Sequence, residues 1–296
     1  MKAGKSNTTS ARQILKTVPG FSDQDAVLTP LLGGITNRNY KVRIQGERFV
    51  LRIGGKNTRQ LGINRTNEHK ISSIAAKLGI GAQMIYSNPR KNLQITRFIN
   101  GKRITATCAA KPETLRRIVK SIQKIHSGPK FPGAFSPFRT VRSYHLLALK
   151  HKVALPPLLD KALELMSRIE KALRPLPQLR PCHNDLLASN LIDDGRAIRI
   201  IDWEYAAMGD PYFDLGNFAV NQKLSQERCR FLLREYSGQF RPEDFARLNF
   251  YRLASHLRES FWGFLQMGLS KIDFDFRDYA LIHLKRYRRD SRELKW

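Results

Sequence analysis

Residues 181–190 read Pro-Cys-His-Asn-Asp-Leu-Leu-Ala-Ser-Asn, and a short way on the chain continues Ile201-Asp202-Trp203-Glu204. His-x-Asp-x4-Asn followed by a second Asp suits phosphoryl transfer, in which positioning and electrostatics are most of the protein's task. One carboxylate, Asp185, is placed to orient an attacking hydroxyl and accept its proton. The Asn190 amide oxygen and the Asp202 carboxylate are hard oxygen donors suited to Mg2+ held against phosphates. Read in isolation, Asp185 and Asn190 would be turn caps, as such residues often are. The first hundred residues argue against that by supplying the other parts.

Those parts are three. Gly33-Gly34-Ile35-Thr36-Asn37-Arg38-Asn39 is rich in residues that tolerate tight turns and expose backbone N–H groups, which suits phosphate. Gly34, Thr36, Asn37 and Asn39 are the residues of this turn expected at a nucleotide. Arg52 takes the place of the lysine that pairs with phosphates in kinase-type sites, and Glu68 in the following helix is placed to hold it.

The elements that must position these groups follow from periodicity. Tyr40, Val42 and Ile44 alternate with Lys41 and Arg43, Gly46 turns the chain, and Phe49, Leu51 and Ile53 continue with period two, which predicts a hairpin. Asn64–Leu78 carries Ile71, Ile74, Ala75 and Leu78 at helical spacing and ends on Gly79. Strands are expected around Gln83–Tyr86 and Leu93–Phe98, and Asn100-Gly101 breaks the pattern. From Pro112 onward helices dominate, with amphipathic stretches at Thr114–His126, Leu158–Leu173 and Asp244–Met267. Two apolar runs, Asn190–Ile192 and Ala197–Ile201, flank the turn Asp193-Asp194-Gly195. The expected architecture is α+β and bilobal: a small antiparallel β-lobe with one helix over residues 1–100, binding nucleotide, and a larger, mainly helical lobe over 101–296.

Composition narrows the class. With 296 residues and 42% hydrophobic content the chain can bury a sizeable core, and no apolar run is long enough to span a membrane. Cys108, Cys182 and Cys229 are few and lack metal-binding spacing, so reduced thiols in a cytoplasmic protein are expected. The basic, Ser/Thr-rich start reads as a frayed end before a short helix, with a transit peptide as the alternative. A net charge of +27 attracts polyanions. Its densest run, Lys285–Arg292, is expected to be a solvated helix face, or else a weak docking site for an anionic membrane surface. Nucleic acid is not an expected partner, and a monomer or homodimer is expected.

The chain resembles the choline/ethanolamine kinases, within the wider group that holds aminoglycoside phosphotransferases and thiamine kinases. The resemblance runs from about Leu31 to Tyr279. It rests on the Gly33–Tyr40 turn, His183-Asn184-Asp185-Leu186-Leu187, Ile201–Ala206, Asp214-Leu215-Gly216-Asn217, and Ala254-Ser255-His256 leading to Phe261-Trp262-Gly263. It implies a protein-kinase-like fold, ATP and Mg2+ as cofactors, and a small-molecule amino alcohol as acceptor. By the same resemblance Asp185 is the catalytic base, Asn190 and Asp202 are metal ligands, and Glu204 is an acid at the metal or just behind its ligands. His183, Asp214 and Asn217 are implied to brace the loop. Tyr205, Trp262, Phe274 and Tyr279 match positions where the family places rings around an ammonium, and a ring face attracts a cation whatever its family.

Two positions depart from the pattern. Leu265 stands where a second Trp is common, and Asn221 where an acid is usual, so choline is less firmly implied than some small alcohol. Thiamine and aminoglycosides are the alternative acceptors, the latter disfavoured by the basic final third (Arg277, Lys285, Arg286). A basic nucleic-acid or membrane-binding scaffold without catalysis is the rival of another class. A Cys182–His183 nucleophile pair is disfavoured because adjacent side chains rarely face each other.

Overall fold

The computed structural model describes residues 2–21, 26–31, 37–55, 58–175 and 177–294. Gly34 and Thr36, expected at the nucleotide, lie outside the described residues. The chain opens with helix α1 (Lys2–Lys16), followed by β1 (Val27–Leu31), β2 (Asn37–Ile44), β3 (Glu47–Gly54), α2 (Arg65–Lys77), β4 (Met84–Asn88) and β5 (Leu93–Arg97). These five strands form one antiparallel sheet in the order β1-β2-β3-β5-β4.

The period-two pattern sorts the sheet into two faces. Val42, Leu51 and Ile95 point to one face and pack with Ala11 and Leu15 of α1, all fully buried. Asn39, Val50 and Arg52 take the other face, toward the second half of the chain; Asn39 and Arg52 are directly opposite in the β2–β3 register. The hairpin turns through Gln45 and Gly46, at φ +49° and +81°, so the turn needs two left-handed residues and glycine supplies the freer one. Helix α2 starts on Asn64, whose side chain accepts the Asn67 N–H at 3.1 Å, which sets Glu68 in the first turn.

The second half contains β6 (Lys102–Arg103), α3 (Ala106–Ala109), α4 (Pro112–His126), α5 (Pro137–Lys150), α6 (Leu158–Ala172), β7 (Arg180–Cys182), β8 (Leu191–Asp193), β9 (Ile198–Ile200) and β10 (Ala207–Gly209). It ends with α7 (Pro211–Asn221), α8 (Gln226–Ser237), α9 (Pro242–Leu269) and α10 (Phe276–Arg292). This is the expected α+β class: a β-rich first part with one helix between β3 and β4, then a mainly helical part. The expected hairpin after Asn190 is β8–β9, its turn held by Asp194, which accepts the N–H groups of Arg196 and Ala197 at 2.9 and 2.7 Å. Beyond the periodicity, β6 pairs with β8 although it has two charged residues and no apolar pattern.

The 28-residue α9 runs through the helical part, with α7, α5 and α10 packed along it. Two glycines permit the approach. A Cβ on Gly216 of α7 would meet the Tyr251 backbone at 2.9 Å, and one on Gly263 would meet the Phe276 carbonyl oxygen at 2.9 Å. Among the described residues no helix is long and apolar enough to cross a membrane, and all three cysteines are free.

Candidate active site

The turn after β7 carries Asp185, and it is held from below by polar groups of α7. Asn184 sits at φ +63°, a left-handed conformation that costs a non-glycine residue about 1 kcal/mol or more. Asp214 holds it there: its two carboxylate oxygens accept the His183 and Asn184 N–H groups at 2.8 and 2.6 Å. Asn217 accepts the Leu186 N–H at 2.7 Å, and Gln222 donates to the Leu186 carbonyl at 3.1 Å. Buried backbone groups need such partners, and here side chains provide them because the turn has left regular structure.

His183 is fully buried and braces as expected. Its Nδ1 accepts the Asp185 N–H at 3.2 Å, which fixes the proton on Nε2, and Nε2 donates to the Ile201 carbonyl at 3.1 Å. One ring thus ties the Asp185 turn to the residue before Asp202. Asp202 is also left-handed, at φ +69°.

Asp185 is paired with Arg258 of α9, whose Nη1 lies 2.9 Å from Asp185 Oδ1 and 2.7 Å from Glu259 Oε1. Burial pushes the Asp185 carboxyl up to about 6, with Arg258 pulling down and Glu259 and Glu204 pushing up. Asp202 is pushed upward as well, by burial first and then by Glu204, Glu68 and Asp185 against the pull of Arg52.

Across the cleft, Arg52 pairs with Glu68 through Nη1 and with Glu204 and Asp202 through Nη2, the latter two at 2.9 and 3.1 Å. Arg65 closes the group: its Nη1 meets Glu68 at 2.6 Å and Glu204 at 3.1 Å. Glu68 stays ionised because the two guanidiniums outweigh its burial. Two cations therefore face three carboxylates, Glu68, Glu204 and Asp202, an excess of negative charge that suits a divalent cation.

The donors for that cation fit hard-ion chemistry. Asp202 Oδ1 is buried without a hydrogen bond, its contact with Arg52 being an ion pair of poor hydrogen-bond geometry. Asn190 donates its Nδ2 to the Asp185 carbonyl at 3.0 Å, which leaves its amide oxygen as the donor for a cation. Glu204, expected beside the metal, stands with Glu68 and Asp202, their carboxylate oxygens within 4.8 Å of one another. Glu204 Oε2 accepts from Arg52, from Arg65 and from Asn37 Nδ2 at 3.1 Å, so that oxygen braces arginines. Asn37, expected at the nucleotide, meets this group through its amide, which links Arg65, at 3.1 Å, to Glu204.

Arg52 and Asp202 line a cavity of about 470 Å³ between the five-stranded sheet and the β8–β9 region. Val50, Phe98, Ile192 and Ile201 give it apolar walls, and Asn39 also lines it. A cavity with apolar walls and charged groups among its lining suits a base joined to phosphates.

Three of the expected rings come together. Trp262 lies 5.4 Å from Tyr279 between centroids, and Phe274 lies 6.0 Å from Tyr279. Phe276, absent from the sequence reading, joins them 5.8 Å from Trp262. Tyr205 differs: the Arg258 guanidinium lies 4.4 Å from its ring centroid, so this ring face holds the chain's own cation. Arg258, Glu259 and Arg65 were missed by the sequence reading. A charged pair inside the apolar face of α9 was the available signal for the first two, and the i,i+3 spacing from Glu68 was the signal for Arg65.

Comparison with known proteins places the chain in a family. Residues 27–251 match the family described as "Phosphotransferase enzyme family". Protein LicA of Haemophilus influenzae is 28% identical over 276 residues, covering 89% of this chain and 80% of LicA. The crystal structure of a choline/ethanolamine kinase family protein from Mesorhizobium loti superposes with a TM-score of 0.83 at 30% identity, spanning 96% of this chain and 94% of that one. Choline kinase LicA from Streptococcus pneumoniae shares the fold, with a TM-score of 0.80 at 21% identity over 98% and 99% of the two chains. The chain belongs to the phosphotransferase enzyme family and, within it, to the choline/ethanolamine kinase family, and is a phosphotransferase with an alcohol group as acceptor.

Proposed function

We propose that the protein transfers the γ-phosphoryl group of ATP, with Mg2+, directly to the hydroxyl of a small amino alcohol, choline or ethanolamine. The observation that carries this reading is a continuous polar path from Asp185 to a ring cluster. It runs from Asp185 through Arg258 and Glu259 to the Tyr279 hydroxyl, which donates to Glu259 Oε2 at 2.7 Å beside Trp262. A hydroxyl at one end and an ammonium at the other match an amino alcohol, the cation resting on ring faces and a carboxylate.

In this mechanism Asp185 orients the acceptor hydroxyl and takes its proton as the new O–P bond forms and the bond to ADP breaks. Arg52 meets the charge that shifts to the leaving phosphate, and Glu68 and Glu204 keep its guanidinium aimed there. Asn190 and Asp202 would hold Mg2+, which neutralises phosphate oxygens when bound. No covalent enzyme intermediate is involved, so the residues orient both reactants at once.

The test is product formation by the purified protein with ATP and Mg2+, read by mass spectrometry. The acceptors are choline, ethanolamine, thiamine and kanamycin. Turnover on choline or ethanolamine is expected. Turnover on thiamine or kanamycin alone would keep the chemistry and replace the acceptor. Absence of product from all four would overturn the reading.

A further inference from the structure

Arg258 and Glu259 are adjacent on α9, 1% and 4% exposed, in a stretch where Leu257, Ser260 and Phe261 are fully buried. Charged side chains are rarely this deep unless they are paired, and here the pairing has direction. Arg258 Nη1 reaches Asp185 Oδ1 at 2.9 Å on one side and Glu259 Oε1 at 2.7 Å on the other. Its guanidinium is fixed from a third side by the Tyr205 ring, 4.4 Å away. Glu259 in turn accepts from the Tyr279 hydroxyl at 2.7 Å, and Tyr279 packs against Trp262 and Phe274.

We propose that Arg258 is a positioning and specificity-determining residue: it ties Asp185 to Glu259 and the Trp262–Tyr279 rings, and so sets the length of the alcohol that is phosphorylated. This rests on the amino-alcohol reading above. A planar guanidinium with fixed donor directions holds two carboxylates at a set separation, which a flexible lysine does not. Both carboxylates keep lone pairs for an acceptor, since each oxygen accepts more than one hydrogen bond. An alcohol whose hydroxyl meets Asp185 and whose ammonium meets Glu259 and the rings must span that separation. A chain one carbon too long or too short misplaces the hydroxyl, and misplacement by about 1 Å costs on the order of 100-fold in rate.

The experiment measures kcat and KM for 2-aminoethanol, 3-aminopropan-1-ol and 4-aminobutan-1-ol, with KM for ATP and the thermal midpoint alongside. Wild type, Arg258→Lys, Arg258→Met and Glu259→Gln are compared. Wild type is expected to prefer one length by about tenfold or more in kcat/KM. Arg258→Met is expected to lower kcat on that acceptor by about 30-fold or more and to shrink the preference to within about threefold, with KM for ATP changed by less than about twofold. Arg258→Lys restores part of kcat and little of the preference. Glu259→Gln, which keeps shape and removes one charge, loosens the preference in the same way and decides the matter should Arg258→Met not fold. No length preference in wild type, or a preference kept intact in Arg258→Met or in Glu259→Gln, overturns the proposal while the amino-alcohol reading stands. No turnover of any amino alcohol by wild type overturns that reading, and this inference with it.

Discussion

Asn184 donates its backbone N–H to Asp214 Oδ1 at 2.6 Å across 30 positions of chain. The other Asp214 oxygen accepts the His183 N–H and meets His126 Nε2 at 3.0 Å. A buried carboxylate thus supports, from beneath, a turn whose backbone would not hold this shape unaided. Asp185, the proposed base, is the next residue, so α7 sets where it points.

Asp214→Asn keeps the shape but replaces a carboxylate oxygen with an N–H donor facing other donors. Loss of a buried charge-assisted bond is expected to cost about 2–3 kcal/mol. Urea unfolding should show that loss, and steady-state kinetics should show a fall in kcat larger than the change in KM for ATP.

Arg52→Met leaves Glu68 and Glu204 with Arg65 as their cationic partner in this group and takes from Asp202 its ion pair with Arg52. Breaking a buried ion pair from one side costs about 3–5 kcal/mol. The variant is expected to be destabilised by that order and to bind ATP weakly. Arg52→Lys keeps the charge, loses the fork, and should recover part of the stability and less of the ATP affinity. Calorimetric melting and titration with ATP check both.

The candidate loop could be picked out in the sequence because its residues are contiguous: Asp185, Asn190 and Asp202 fall within one turn and one hairpin. Arg52 and Glu68 were legible from strand alternation and a capped helix start, both local signals. Arg258 was not, because its partner Asp185 is 73 positions away and no local pattern encodes that contact. Helix α7 was not outlined, since Asp214 and Asn217 occupy buried positions where periodicity looks for apolar residues. Strand β6 exists through its pairing with β8 and not through its own sequence.

Trp262→Ala and Phe274→Ala separate the ring cluster from ordinary packing. Trp262 is 8% exposed within the cluster, whereas Phe274 is 39% exposed at its edge. A ring face toward a desolvated cation contributes about 1–2 kcal/mol, so Trp262→Ala should raise KM for the amino alcohol by about tenfold or more. Phe274→Ala should raise it by less than about threefold. An effect of Trp262→Ala confined to KM for ATP would contradict the placement of the acceptor.

Asp290 links α10 to α9 and makes stability fall in acid. Burial favours its neutral form, but hydrogen bonds from His256 and Arg289 and the nearby Arg252 guanidinium outweigh that and hold its carboxyl at about 2, below the usual 3.8. A carboxyl lowered on folding contributes stability that is present above its unfolded value and disappears as pH falls toward about 2. Its pairing contributes on the order of 2 kcal/mol above pH 4. Unfolding by urea between pH 2 and pH 5 should show a shallower dependence in Asp290→Asn than in wild type.

Asp185 is the proposed base, and the most direct test of that role is Asp185→Ala assayed for phosphoryl transfer and for ATP binding in parallel. A kcat reduced by about 1000-fold or more, with the dissociation constant for ATP changed by less than about threefold, is the predicted result. A variant that retains most of the wild-type turnover would contradict the assignment of the base, and with it the account of the site.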